Sequence, residues 1–229
     1  MPEETAIRIK ANIDKIKANI AAACKRSGRD PAAVFFLPVT KKRAKEELDV
    51  LRDLGYHEFG ESYTEDIIER FKEFDDITWH YIGHLHKKHT NKIVGNVTLI
   101  HSVASEELLR KVNFTAREKH IVQDILLEIN SGEEQKQGFE PDEVRDLFRM
   151  DILKALPDVK VRGLMTMAPL VEDPNSVRPV FAAMRKLREE LNRDQSADLK
   201  ELSMGMTNDY AVAVEEGATI VRIGTAVFE

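Results

Sequence analysis

The sequence contains a single cysteine, Cys24, among its 229 residues. One cysteine excludes a disulfide within the chain and any zinc or iron–sulfur site built from several cysteines. Such low cysteine use is also typical of proteins that work in a reducing compartment. We therefore expect a cytoplasmic protein.

The sequence also lacks long apolar runs and an excess of positive charge. No stretch approaches the roughly 20 apolar residues that a membrane-spanning helix needs, and the early acidic residues Glu3 and Glu4 do not fit a signal peptide. The 34 Lys and Arg residues are interspersed among 40 Asp and Glu residues. We therefore expect no membrane partner and no nucleic-acid partner.

The sequence does contain short apolar runs that alternate with longer amphipathic segments. Ile9, Ile13, Ile16 and Ile20 share one face of a predicted N-terminal helix, which we expect to pack against the rest of the protein. Eight β-rich runs follow, with segments of helical periodicity between them. These runs cover residues 34–39, 57–61, 78–83, 98–103, 124–130, 159–167, 201–206 and 219–224.

Eight apolar strands joined by helices predict an α/β fold in which helices cover a parallel sheet. Eight such units in about this length are typical of a closed (β/α)8 barrel, the TIM barrel, and an open doubly wound sheet is the alternative. No Gly- or Ser-rich linker divides the chain. We therefore predict one TIM-barrel domain over residues 1–229 with an additional N-terminal helix.

A barrel of this kind builds its site at the carboxyl ends of the strands. The first strand ends in Thr40-Lys41-Lys42. A lysine at the mouth of an apolar pocket can form a Schiff base with an aldehyde. Taken alone, however, Lys41 is better explained as a solvated loop residue in a chain this rich in lysine.

Small and hydroxyl-bearing residues follow the last two strands. They are Ser203, Met204, Gly205 and Thr207 after the seventh strand and Gly224 and Thr225 after the eighth. Such residues let backbone N–H groups approach an anion, and barrels often bind phosphate in these two loops. The pattern predicts a phosphate site, although Thr207 alone fits an N-cap of the next helix equally well.

Two further groups of polar residues need an explanation. Arg222 lies within the eighth apolar strand and must face a ligand, a carboxylate or solvent, a structural ion pair being the simplest case. Histidines near the third and fourth strands raise the alternative of a metal-dependent hydrolase. They are His80, His84, His86, His89 and His101, with Glu61 and Glu128 as the best carboxylate partners. Because three of them share one lysine-rich loop, we expect a surface loop and no metal site.

Seven blocks of sequence at the strand ends occur in one order. They are VTK at 39–41, FGE at 59–61, WHYIG at 79–83, HSV at 101–103, RGLM at 162–165, LSMGM at 202–206 and VRIGT at 221–225. Together they resemble the pyridoxal phosphate homeostasis proteins, which are stand-alone barrels similar to the N-terminal domain of bacterial alanine racemases. The resemblance runs through most of the chain.

The resemblance implies a pyridoxal 5′-phosphate (PLP) site. Lys41 would form the internal aldimine, and Arg222 would lie beside the pyridine nitrogen. The phosphate would fall on the segment from Ser203 to Thr207, which includes Met204 and Gly205, and on Gly224 and Thr225. Further cofactor contacts are implied for Ser62, His80 and Met165. The first and eighth strands are neighbours in a closed barrel, so the lysine and the phosphate loops would meet.

The function implied by the resemblance is PLP homeostasis with little or no catalysis. The protein would hold the cofactor, buffer its concentration and deliver it to apo forms of PLP-dependent enzymes. We expect a monomer, with a small dimer as the alternative. An arginine at the ring nitrogen favours an unprotonated ring, which weakens carbanion chemistry. A weak amino-acid racemase is the alternative, and it would need a second base opposite Lys41, for which Tyr81 or His80 is the nearest candidate.

The sequence departs from the family pattern in three loops. Ser62 replaces a usual asparagine, and the run at 83–89 differs from the usual Gly-Pro-Leu-Gln-Ser-Asn-Lys. The loop at 130–138 is one residue shorter than usual, so Lys136 is given no role. None of these changes affects Lys41, Arg222 or the predicted phosphate loops.

Overall fold

The eight predicted strands are all present in the computed structural model, which describes residues 2–132 and 137–229. Most strands are shorter than the apolar runs that predict them. They are β1 Phe35–Pro38, β2 Glu58–Glu61, β3 Thr78–Tyr81, β4 Leu99–Val103, β5 Gln123–Glu128, β6 Val159–Met165, β7 Glu201–Ser203 and β8 Ile220–Ile223. The loop at 130–138 lies partly outside the described residues, and Lys136 lies outside them entirely.

All strand pairs are parallel and form one sheet in the order β1-β8-β7-β6-β5-β4-β3-β2. The two ends of this sheet meet where Val39 pairs with Gly60, just beyond β1. The N–H of Thr40 donates to the carbonyl of Gly60 at 3.0 Å. The sheet is therefore closed, which confirms the (β/α)8 barrel and excludes the open doubly wound sheet.

Helices follow the strands around the outside of the barrel. They are α1 Pro2–Ser27, α2 Lys45–Asp53, α3 Thr64–Glu73, α4 Thr90–Ile93, α5 Glu106–Glu118, α6 Pro141–Arg149, α7 Arg178–Asp194, α8 Tyr210–Glu215 and α9 Thr225–Phe228. Within the described residues, no helix combines the length and the apolar character needed to cross a bilayer.

The predicted N-terminal helix is confirmed as α1. Acidic residues in its first turn and basic residues in its last turn complement the helix dipole. The four isoleucines Ile9, Ile13, Ile16 and Ile20 are all buried. They pack α1 against α8 and α9, as expected from their spacing.

The barrel separates two apolar regions. The larger one lies between the strands and the helices, and the smaller one fills part of the barrel interior. The interior cluster consists of Leu37, Leu99, Leu126, Met165 and Ile220. A hydrogen bond between His101 on β4 and Ser203 on β7 crosses this interior, because these strands are not neighbours.

Strand β7 is the shortest, although the sequence predicts it over 201–206. The chain leaves the ladder because Gly205 adopts a positive φ of 94°. A Cβ at this position would lie 2.6 Å from the Ala213 Cβ and 2.9 Å from the Tyr210 Cα. Only glycine therefore allows the segment after β7 to approach α8 this closely.

Candidate functional site

Lys41 lies in a tight turn at the carboxyl end of β1. The N–H of Arg43 donates to the carbonyl of Thr40 at 3.1 Å, which places Lys41 and Lys42 at the tip of the turn. The Lys41 side chain is exposed. Arg43 fastens the turn to the end of the chain, since its guanidinium contacts the Phe228 ring at 4.7 Å and donates to Glu229 at 2.8 Å.

The turn that carries Lys41 lies beside the loop after β8. The N–H of Val39 donates to the carbonyl of Ile223 at 2.9 Å, so β1 and β8 end at the same level. Gly224 and Thr225 follow at once, and Thr225 is exposed. Lys41 therefore leaves the barrel next to one of the two predicted phosphate loops.

The loops after β7 and β8 are tied together. The Asp209 carboxylate accepts the N–H of Met206 at 2.6 Å and shapes the loop after β7. The Thr207 hydroxyl accepts the N–H of Ala226 in α9 at 3.3 Å. Thr207 therefore links the two loops, and the N-cap of α8 is Asp209 instead.

Met204 and Ser203 direct their side chains away from the loop surface. Met204 is fully buried between the barrel and the helices, and its N–H donates to the carbonyl of Ile220 at 3.1 Å. The Ser203 hydroxyl lies inside the barrel, where it contacts Arg222 and His101. Sequence reasoning placed both residues in the phosphate segment but could not show where their side chains point.

Arg222 is 3% exposed and lies inside the barrel. One Nη donates to the Ser203 hydroxyl at 2.6 Å, and the other donates to the carbonyl of Thr166 at 2.9 Å. Burial lowers the pKa of Arg222 to about 10, and the nearby carboxylates of Glu128 and Asp209 oppose this shift. Arg222 is therefore a fixed cationic donor at neutral pH.

An apolar surface lies close to these groups. Met165 is fully buried in the interior cluster at the end of β6. Ile82 and Met167 are half-buried and pack against that same cluster. Sequence reasoning named Met165 alone, although the apolar character of Ile82 and Met167 just beyond strand ends was visible.

His80 lies towards the other end of the barrel. It lines a cavity of about 350 Å³ with residues from the first positions of several strands, among them Phe35 and Glu58. Its Nε2 contacts the Glu58 carboxylate at 3.2 Å, and its Nδ1 contacts the Nε2 of His101 at 3.0 Å. His80 is thus connected to Arg222 only through other side chains, and Glu58, which sequence reasoning missed, belongs to the same group.

Tyr81 and Glu61, named above as a possible base and a possible metal ligand, both make structural hydrogen bonds. Tyr81 packs between the barrel and the helices, where its hydroxyl contacts the Thr64 hydroxyl at 3.0 Å and donates to the carbonyl of His84. Burial raises the pKa of Tyr81. The Glu61 carboxylate accepts the N–H of Ser62 at 2.6 Å, and burial raises its pKa too.

The five histidines considered above as metal ligands fall into two separate groups. His80 and His101 lie inside the barrel, while the His86 ring contacts those of His84 and His89 in the loop after β3. Across residues 2–132 and 137–229, no three His, Cys, Asp or Glu side chains are placed to hold one metal ion.

The burial of His101 predicts a pH-dependent stability. Complete burial, with the nearby charges of His80 and Arg222, holds the pKa of His101 well below its ordinary value of 6.5. The unfolded chain binds a proton below this value that the folded chain excludes, so stability falls as the pH decreases through about 6.5. We expect His101 to contribute about 1 kcal/mol less to the free energy of unfolding at about pH 5.5 than at about pH 7.

This prediction can be measured by urea unfolding of the native chain and of His101→Gln at both pH values. The variant is expected to be less stable at neutral pH, because it disturbs a buried hydrogen bond. It should nevertheless lose less stability than the native chain on acidification. An equal loss in both proteins would contradict the prediction.

Comparison with known proteins identifies the relatives of this chain. The family model of the alanine racemase N-terminal domain matches residues 11–229. A pyridoxal phosphate homeostasis protein of Aquifex aeolicus is 39% identical over 219 residues, which are 94% of this chain and 95% of the relative.

Solved structures agree with this result. The structure of PipY from Synechococcus elongatus PCC7942 with PLP bound has a TM-score of 0.79 and 30% identity, and the match covers 93% of this chain and 100% of PipY. An alanine racemase of Clostridium difficile 630 has a TM-score of 0.74 at 15% identity, covering 96% of this chain but 56% of the racemase. The racemase shares the barrel fold.

Proposed function

Since this chain belongs to the family of pyridoxal phosphate homeostasis proteins, we propose that it binds PLP through Lys41 at the carboxyl end of the barrel. One observation carries the proposal. Lys41 follows β1 beside the loop after β8, because Val39 donates to the carbonyl of Ile223, and the hydrogen bond between Thr207 and Ala226 links that loop to the one after β7. The presence of PLP in the similar structure of PipY supports it.

The residues present fit a phosphorylated aromatic aldehyde. When bound, PLP supplies an aldehyde that condenses with a primary amine and releases water. We assign that amine to Lys41. The hydroxyls of Thr207 and Thr225 and the backbone N–H groups of Gly205 and Gly224 are the groups of these two loops that we assign to the phosphate. Ser62 would lie at the edge of the site.

The ring of the cofactor would be held by apolar and cationic groups. Ile82 and Met167, which pack against the cluster that contains the buried Met165, offer an apolar surface for one face of the ring. Arg222 would donate to the pyridine nitrogen. Because a guanidinium keeps its protons, this nitrogen would stay unprotonated, and the ring would be a weak electron sink.

This arrangement favours holding the cofactor over turning over amino acids. Tyr81 lies on the helix side of the barrel wall and His80 towards the opposite end, so neither supports a second base facing Lys41. The proposal is therefore that the chain acts in PLP homeostasis, as a single domain of residues 1–229 and a monomer. It would keep the reactive aldehyde bound and release it to apo forms of PLP-dependent enzymes.

The experiment that tests the proposal is to trap the bound cofactor. The purified protein is mixed with PLP, its visible spectrum is recorded, and borohydride is added before peptide mapping by mass spectrometry. We expect a visible band that reduction removes, and one reduced pyridoxyl group on Lys41. No reducible band, or labelling spread over other lysines, would contradict the proposal.

A further inference from the structure

A continuous chain of hydrogen bonds runs through the barrel interior. It begins at Glu58, whose side chain is 47% exposed at the amino end of β2, and passes through His80, His101 and Ser203 to Arg222. The distances along it are 3.2, 3.0, 2.8 and 2.6 Å. The chain therefore connects the cavity at the amino ends of the strands to the arginine assigned to the cofactor.

We propose that this chain couples the protonation state of His80 to the cofactor site at the other end of the barrel, with Arg222 as the last element. His101 and Ser203 are positioning residues in this arrangement, since they act through Arg222. The effect on the cofactor rests on the proposed function, but the chain of hydrogen bonds is present in the protein without the cofactor.

All hydrogen bonds of this chain point in one direction, from Arg222 towards Glu58, when His80 is neutral. Arg222 can only donate, so the Ser203 oxygen accepts from it and the Ser203 proton points to Nδ1 of His101. His101 then carries its proton on Nε2 and donates to Nδ1 of His80. His80 in turn donates from Nε2 to the Glu58 carboxylate. Arg222 only donates and Glu58 only accepts, and each group between them accepts one hydrogen bond and donates the next.

Protonation of His80 reverses the inner part of this line. An imidazolium has protons on both nitrogens, so Nδ1 of His80 must donate to Nε2 of His101. A neutral His101 then carries its proton on Nδ1 and donates to Ser203. The Ser203 oxygen now accepts from both His101 and Arg222, and the hydroxyl proton of Ser203 no longer takes part in this chain of hydrogen bonds.

The reversal changes how strongly Ser203 holds Arg222. A hydroxyl that donates a hydrogen bond is polarised and accepts a second one better, whereas a hydroxyl that accepts twice accepts each more weakly. The bond from Arg222 to Ser203 is therefore weaker when His80 is protonated. Arg222 is then freer to donate to the ring nitrogen of the cofactor.

His101 has the properties that such a relay requires. It is completely buried, and burial together with the charges of His80 and Arg222 keeps the pKa of His101 well below 6.5. It therefore stays neutral when His80 gains a proton, and it can respond only by changing its tautomer. The charge remains at the cavity, where the Glu58 carboxylate faces it.

Other charged groups share the cavity with His80 and bear on its protonation. They are Asp124, Arg162, Asp198, Lys200 and Glu201. Asp124 pairs with Arg162 at 2.8 Å, while Glu58 makes the direct contact with His80. Glu58→Gln therefore removes the carboxylate that stabilises the imidazolium, and Asp124→Asn is a matched control at the same cavity.

The first test uses the unliganded protein and the nitrogen and proton NMR signals of its imidazoles. We expect His101 to carry its proton on Nε2 at neutral pH and on Nδ1 once His80 is protonated. In Glu58→Gln the change should occur at lower pH, and in Asp124→Asn at nearly the native pH. A His101 tautomer that stays the same while His80 titrates would overturn the inference.

The second test follows the visible band of the PLP-bound protein against pH. The native chain and Asp124→Asn are expected to show the same spectral transition, and Glu58→Gln should show it at lower pH. Glu58→Gln is an exposed substitution that should fold. Superimposable titrations of all three proteins, with binding intact, would overturn the coupling alone. A native chain that binds no PLP would instead contradict the proposed function.

Discussion

Lys41→Ala is expected to remove the reducible visible band that PLP gives with the native chain. The reason is that Lys41 follows β1 beside the loop after β8, and alanine has no amine to condense with the aldehyde. The phosphate loops and Arg222 would still bind the cofactor without a covalent bond. We expect a dissociation constant at least about tenfold higher, equivalent to about 1.4 kcal/mol or more.

The neighbouring lysine provides the matched control for this prediction. Lys42 lies in the same turn and is also exposed, but its ammonium is directed to the ring of Tyr63 at 5.7 Å. Lys42→Ala should therefore keep the band and the borohydride-trapped adduct. Equilibrium dialysis and absorbance titration measure both variants under the same conditions. Loss of the band in Lys42→Ala and its retention in Lys41→Ala would reverse the assignment.

The sequence was sufficient to predict the barrel because its apolar pattern repeats. Each strand is a short apolar run, because both faces of a strand in a parallel sheet are buried. Such runs can be recognised in the sequence without knowing which strands pair. The four isoleucines of α1 are equally clear, since their spacing defines one face. Lys41 and Arg222 are conspicuous because each is a charged residue at the end of, or within, an apolar run, but the roles predicted for them rest on the resemblance to the family.

The contacts inside the barrel could not be predicted in the same way. They depend on the reach of side chains along the sheet: Glu58 pairs in register with Thr78, but its carboxylate contacts His80, two residues further along β3. Glu58 was therefore given no role, and His101 was named only as a possible metal ligand. The early end of β7 was missed because the left-handed backbone at Gly205 reflects contact with α8, which is not local in sequence.

Two backbone segments near the site lie very close together at Gly83, just after β3. A Cβ at this position would lie 1.8 Å from the carbonyl oxygen of Ser62 and 2.6 Å from its carbonyl carbon. Both segments are held in place, because Ile82 donates to the carbonyl of Glu61 at 2.9 Å and the Ser102 hydroxyl donates to the carbonyl of Gly83. A side chain at Gly83 therefore has no flexible neighbour to displace.

Gly83→Ala is accordingly expected to destabilise the fold by about 3 kcal/mol or more, because the backbones after β2 and β3 must separate. For a chain of this size, that loss lowers the melting temperature by about 6–12 °C. Gly60→Ala is the control, since its Cβ would meet only the side chains of Leu37 and Ile82, at 3.1 and 3.2 Å, and these can shift. Calorimetry measures the melting temperatures of both variants. A Gly83→Ala protein with the melting temperature of the native chain would show that the two segments are not held this closely.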